Sequence, residues 1–348
     1  MKLLRGIIVL LLPIGALIGA SIFIASIHNS AVNTRWLSHP SSEGTFIDNG
    51  GRKLFCRVKG HGSPAVLIET WGGGPSFEWW RIQDSLARKT TVITYDRGGY
   101  GWSEPGPVPR TSDKISGEIA AIAAALRIDT AMVLVGHSIG GLYVIDYCRR
   151  HPDKVAGAVL LDAVSLHNRR WWTEFPQFTR YFDKAKYADY GRKFAKSGLE
   201  RITGFLPYEN VPAPVKNLVV EHYCSPRSYD AMQDEIVRID SCIAIIDRLG
   251  PFPAIPLKII APSSESIMRE WIKYQVPRPV AEKMQKLHEE LTKELIRYSP
   301  AGTLSIIDQT GHGIHLDRPD ALIAEIGSLI EEIRLKRPQN DSAAKSPD

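Results

Sequence analysis

The chain has 348 residues, 44% of them hydrophobic, and a formal charge of +5. That size and apolar share suffice for one large domain with a substantial core and an inserted subdomain. The charge is modest and its basic residues form no DNA- or RNA-binding motif, which excludes nucleic acid as the expected partner.

In chain order, Gly6 to Ile27 is an uncharged, almost wholly apolar run, long enough to cross a bilayer as a helix. Lys2 and Arg5 precede it, so the positive-inside rule leaves the short N-terminus in the cytoplasm and the body on the far side. The run exceeds the usual apolar region of a signal peptide and lacks a clean small-x-small site, which favours an uncleaved anchor over residues 1–30. Secretion after cleavage is the alternative. Pro13 is tolerable in a membrane helix.

The body alternates short β-rich runs with helical stretches. Strands are expected near Lys53–Val58, Ala65–Glu69, Thr91–Tyr95, Met132–Val135, Gly157–Leu161, Leu257–Ala261 and Thr303–Ile307. Helices are expected at Ser112–Leu126, Ile139–Arg149 and Pro319–Leu335. Near-continuous apolar strands between helices predict an α/β fold, a mostly parallel sheet covered on both faces. The core then comprises residues 31–165 and 251–336, interrupted by a helical cap over 166–250 at the sheet edge where ligands bind in such folds. A polar segment over 337–348 reads as a disordered tail.

After the second of these strands comes Trp71-Gly72-Gly73-Gly74-Pro75, a flexible loop whose backbone can approach a ligand. After the fourth comes Gly136-His137-Ser138-Ile139-Gly140-Gly141. A strand running into G-x-S-x-G is the pattern of a nucleophile elbow, with the serine on a strained turn and glycines where a Cβ would crowd it. Ser138 is the candidate nucleophile. A serine hydroxyl needs a base, and the base needs an orienting group. His312, bracketed by Gly311 and Gly313 after the last strand, is the candidate base, ahead of His315. His137 is expected to be structural. Two acids stand at the correct edge: Glu265, just past the strand before the histidine strand, and Asp162, ending the strand after the nucleophile. Position leans toward Glu265, and both stay open. The oxyanion donors are expected from the backbone N–H of Ile139 and from Gly72 or Trp71.

Between Arg169 and Arg201 the cap mixes basic residues such as Arg169 and Arg180 with large aromatics such as Trp171, Trp172, Tyr181 and Phe182. That mixture suits a membrane interface, while an ordinary cap, aromatic inside and charged outside, accounts for it better. Cys56 and Cys148 read as buried thiols. Cys224 and Cys242 fall in one region and are a possible pair in an oxidising compartment.

Taken together, these motifs make the chain similar to the α/β-hydrolase fold superfamily, in its serine esterase-like branch with a helical cap, over about residues 50–335. Beside the elbow, Tyr95-Asp96-Arg97-Gly98-Gly99-Tyr100-Gly101-Trp102-Ser103 resembles the family's glycine-rich loop beside the site. The run from Gly311 to Pro319 resembles its histidine loop. The resemblance implies a serine hydrolase that cleaves a carboxylic ester, an amide or thioester less so, with catalytic roles at Ser138, His312 and one acid. It implies no metal or organic cofactor. A small hydrophobic or amphiphilic ester is the expected substrate, and the membrane is the expected partner through the N-terminal helix. Acyl transfer on the same fold, or a non-catalytic ligand- or partner-binding module, are the alternatives. Two departures stand out: Thr70-Trp71 replaces the family's His-Gly pair, and Glu265 stands where an aspartate is usual. Relatives acting on epoxides or alkyl halides use a carboxylate nucleophile, against which Ser138 argues.

Overall fold

The computed structural model describes residues 2–176, 183–204, 206, 208 and 210–336. Arg180, Tyr181 and Phe182 of the cap, and the expected tail 337–348, lie outside the described residues. Among those described, eight strands form one sheet in the order β1-β2-β4-β3-β5-β6-β7-β8. The strands are β1 (Thr45–Asp48), β2 (Lys53–Lys59), β3 (Val66–Glu69), β4 (Val92–Tyr95), β5 (Met132–His137), β6 (Val155–Leu161), β7 (Leu257–Pro262) and β8 (Gly302–Ile307). β1 with β2 and β2 with β4 run antiparallel, and every later pair is parallel.

Val66–Ile68, Val133–Val135 and Val159–Leu161 are wholly buried, as strands covered on both faces must be. On one face Leu67, Leu134 and Leu160 pack on α3 (Ser112–Ala125) and α4 (Gly140–Arg150) through Ile119 and Tyr143. On the other, Val66, Val135 and Leu161 pack on α2 (Trp80–Leu86) and the last long helix, Pro319–Lys336. Burying an aliphatic side chain of this size contributes about 1.5–3 kcal/mol.

Three features differ from expectation. β1 escapes a sequence reading because its four residues bury only Ile47. Between β7 and β8 stand two helices, Ser264–Lys273 and Arg278–Ile296, the latter turning Ala281, Met284, Leu287, Leu291 and Leu295 inward. And the N-terminal helix α1 does not end near residue 30 but runs Lys2–Ser38. The apolar stretch from Leu12 is long and hydrophobic enough to cross a membrane. Leu12, Leu17, Phe23 and Ile24 are exposed, whereas Ala25, Asn29 and Asn33 are buried.

That buried stretch of α1 docks on the cap. The cap's chief helices, in chain order after α4, are α5 (Arg170–Glu174), α6 (Lys184–Ser197), α7 (Leu199–Thr203), α8 (Lys216–Tyr223), α9 (Pro226–Val237) and α10 (Ile239–Ile246). Asn29 Nδ2 donates to the carbonyls of Ala195 (2.8 Å) and Cys224 (3.0 Å), and Asn33 Nδ2 to that of Cys224 (2.8 Å). Arg201 donates to both asparagine oxygens while pairing with Glu221. Gly198, at φ 76°, ends α6 against Ala25, where a Cβ would stand 2.3 Å from the Ala25 carbonyl. The Cys224–Cys242 pair does not form. All four cysteines are buried free thiols.

Candidate active site

Ser138 stands between β5 and α4 at φ 57°, a left-handed backbone that is strained for any residue with a side chain. The elbow is held in place by close approach. A Cβ on Gly140 would lie 2.5 Å from the Thr70 carbonyl, and one on Gly136 2.7 Å from the Gly140 carbonyl. The turn after β6 is tied to it from both sides: the Ser138 N–H donates to Leu161 (3.0 Å), and the Val164 N–H donates to the Ser138 carbonyl (3.0 Å).

Asp162 sits in that neighbouring turn, also left-handed at φ 38°. Its Oδ2 accepts from His312 Nδ1 at 2.6 Å and its Oδ1 from His288 Nε2 at 2.7 Å. The carboxyl is 5% exposed. Burial alone pushes it up, but the two imidazoles, His288 foremost, outweigh that and hold it far below the usual carboxylate range. Asp162 is therefore the acid that meets the candidate base. Glu265 is not. Placed in the first turn of the helix Ser264–Lys273, its side chain is 74% exposed and paired with Arg269 at 2.6 Å, away from His312. The expectation that leaned toward Glu265 is corrected: a helix starts directly after β7 and turns that residue to solvent. One turn on, Glu270 Oε2 accepts the backbone N–H of His312 at 2.8 Å.

His137 is buried, and its Nε2 donates to the His312 carbonyl at 2.9 Å, so it braces the histidine loop. Burial and then the nearby His312 and His315 keep its ring neutral, its pKa far below the usual value. His315 is buried too, stacked on Trp79 with centroids 4.7 Å apart, and burial pulls it down to about 3. Its Nε2 lies 3.4 Å from Glu78.

The loop after β3 shows what Thr70-Trp71 does. Trp71 stacks on His137 (5.1 Å) and His312 (5.7 Å), and its Nε1 donates to Glu78 at 3.0 Å. The fully buried Arg97 grips the Thr70 carbonyl (2.8 Å) and the Trp71 carbonyl (2.7 Å). Because C=O and N–H of a trans peptide point oppositely, this turns the Trp71 and Gly72 N–H groups away from Arg97. Gly72 faces the residue after Ser138, with a Cβ there lying 3.4 Å from Ile139 Cγ2. The Gly73 N–H is already taken by Tyr100 Oη at 3.1 Å.

Arg97 is itself balanced by Glu69 (2.5 Å) and by Glu235 of cap helix α9 (3.0 Å), while Arg110 joins Glu235 to Glu118. Burial raises the Glu235 carboxyl, but Arg97 and Arg110 outweigh it and hold it below its ordinary value. His288, Glu270 and Glu235 had not been singled out. Of these only His288 left a trace: it continues the inward series Met284, His288, Leu291 at helical spacing. Among the described residues no group of His, Cys, Asp and Glu is arranged to hold a metal.

Comparison with known proteins agrees with this architecture. The family model described as "alpha/beta hydrolase fold" matches residues 64–206. A human (lyso)-N-acylphosphatidylethanolamine lipase is 31% identical over 103 residues, which cover 29% of this chain and 30% of the lipase. Among solved structures, an esterase from Thermogutta terrifontis superposes with a TM-score of 0.56 at 19% identity, covering 84% of this chain and 99% of the esterase. An epoxide hydrolase from Vigna radiata superposes with a TM-score of 0.64 at 15% identity, covering 83% and 98%. The chain spans less than half the length of the first curated relatives it matches. The chain has the α/β-hydrolase fold, and the curated relatives include hydrolases of several chemistries.

Proposed function

We propose that this protein is a serine hydrolase that cleaves a carboxylic ester, anchored in a membrane by α1. The observation that carries the reading is the 2.6 Å bond from His312 Nδ1 to the buried Asp162, beside a serine held at φ 57° on a strand-to-helix elbow. With Nδ1 occupied, Nε2 of His312 is the nitrogen free to take the Ser138 proton. Ser138 Oγ attacks the ester carbonyl, and the oxyanion is met by the N–H groups of Ile139 and Gly72. His312 returns the proton to the departing alcohol, and water then releases the acyl group by the same steps in reverse. A serine in the elbow does not support the displacement at carbon that epoxide and haloalkane chemistry requires.

An amphiphilic ester is favoured because α1 carries its exposed apolar stretch directly into the cap that covers the site. The likeness to a lipase over part of the chain is consistent with this choice. Inserted helix-first with Lys2 and Arg5 in the cytoplasm, the body faces the other side.

The test is fluorophosphonate labelling and ester turnover of the full chain. Ser138→Ala and His312→Ala abolish both. Asp162→Asn lowers turnover by about 10⁴-fold, the loss expected when an orienting acid becomes an amide. Glu265→Gln matches the parent. An unlabelled but well-folded parent would move the reading to a binding module.

A further inference from the structure

Asp162 carries two imidazoles, and only one belongs to the histidine loop. His288 comes from the helix Arg278–Ile296 and reaches the carboxylate from the other side, Nε2 to Oδ1 at 2.7 Å, with its ring edge-on to Trp271 at 6.1 Å. It is itself mostly buried, its side chain 17% exposed. A carboxylate removed from water needs donors on both oxygens, and here each oxygen has one imidazole. The turn that bears it is left-handed and non-glycine, a conformation that persists only where its surroundings over-determine it. The ionisable groups facing His288 are Asp162 from the β6 turn, Glu270 from the helix Ser264–Lys273 and Glu289 on its own helix, with His312 across the carboxylate.

We infer that His288 is a positioning residue that shares Asp162 with His312 and sets the acid limit of the reaction. The inference rests on the triad reading above. Burial pulls the His288 ring down, but Asp162, Glu289 and Glu270 together hold it above the ordinary histidine value, so it keeps its proton to higher pH than an ordinary histidine. A charged His288 neutralises part of Asp162 and sets a second positive charge beside the base. That opposes further positive charge at the site, so the serine is activated at lower pH than an unshared acid would permit. The two imidazoles are linked through one carboxylate.

The experiment is the rate of fluorophosphonate labelling of the full chain in detergent micelles across about pH 5 to 9, the range in which histidines titrate. Three proteins are compared: the parent, His288→Gln and His288→Phe. Gln keeps an N–H donor without the charge, so its plateau stays within about threefold of the parent while its acid limb moves to higher pH by about half a unit or more. Phe removes the donor and lowers the plateau about tenfold or more. A purely structural histidine would scale the plateau and leave the limb in place. An acid limb for His288→Gln that superimposes on the parent's overturns the inference.

A second readout stands apart from turnover. In ¹³Cε1-histidine spectra of the full-length Ser138→Ala protein, the His288 resonance titrates above an ordinary histidine and moves down when Asp162→Asn is added. Absence of that coupling overturns the inference even if Ser138 labels. An unlabelled parent in which the coupling is present overturns the triad reading instead.

Discussion

Ser138 and Asp162 hold left-handed backbone on neighbouring turns, at φ 57° and 38°. Each such residue costs on the order of 1–3 kcal/mol, sustained only by rigid surroundings. A buried histidine braces the loops after β3 and β4. His222, on α8, accepts the Gly101 N–H at Nδ1 (3.1 Å) and donates from Nε2 to the Gly73 carbonyl (2.9 Å). Burial lowers its pKa to about 3. The unfolded chain takes up this proton near the ordinary histidine value of about 6.5, whereas the folded one refuses it until about 3. Between those values the unfolded state binds more protons, so this group's effect is a loss of stability as pH falls. His222→Gln is therefore expected to lose less melting temperature than the parent between pH 7 and pH 4, as scanning calorimetry would show. Equal losses would contradict the neutral buried ring. At this scale Ser138 and His312 were legible, because glycines bracket both for steric reasons that a sequence displays. The choice of acid was not. Glu265 and Asp162 sit at equivalent strand ends, and what separates them is the direction of a helix start and a turn hydrogen-bonded to the elbow.

The element that most depends on its neighbours is the loop after β3. Its carbonyls are held by Arg97, which a glycine-rich loop after β4 supplies and a cap helix counterbalances through Glu235. Core and cap are thus joined by buried charge rather than by apolar contact alone. Removing one partner of such a set leaves charge uncompensated, at about 3–5 kcal/mol. Arg97→Leu is expected to lose that much stability in urea unfolding and to label poorly, because the Trp71 and Gly72 peptides lose their grip. Parent-like labelling of a folded Arg97→Leu would remove Arg97 from any role in the loop. The strands of the sheet were legible to within about two residues, since buried parallel strands are apolar throughout. β1 and the helix Arg278–Ile296 were less so. The first is a short exposed edge, and the second is a charged helix whose inward face alternates with lysines and glutamates.

For the molecule as a whole, the boundary that matters is within α1. From Leu12 to Ile24 the helix presents exposed apolar side chains, and from Ala25 one face of it, with Asn29 and Asn33, packs on the cap. Deleting residues 1–22 is expected to leave the cap intact and the melting temperature close to the parent's. Deleting residues 1–34 strips Asn29 and Asn33 from the Ala195 and Cys224 carbonyls and leaves Arg201 without two of its acceptors. That deletion is expected to lower the melting temperature, by somewhat less per kcal/mol lost than the about 2–4 °C of a 150–250-residue domain. Equal stability of the two deletions would show that the docking contributes nothing. Liposome flotation separates the other half of the reading, since both deletions lose membrane binding if the apolar stretch supplies it.

One consequence of the docked helix concerns reach. At about 1.5 Å per residue, residues 2–24 measure roughly 35 Å, close to the ~30 Å hydrocarbon thickness of a bilayer. With that stretch inserted, the helix meets the cap as soon as it leaves the lipid, and there is no slack between them. On the proposed reading, a rigid stem of this kind would keep the body from sampling bulk water in search of substrate. Its encounters would then be two-dimensional, set by lateral diffusion and by the surface density of the proposed ester in the leaflet.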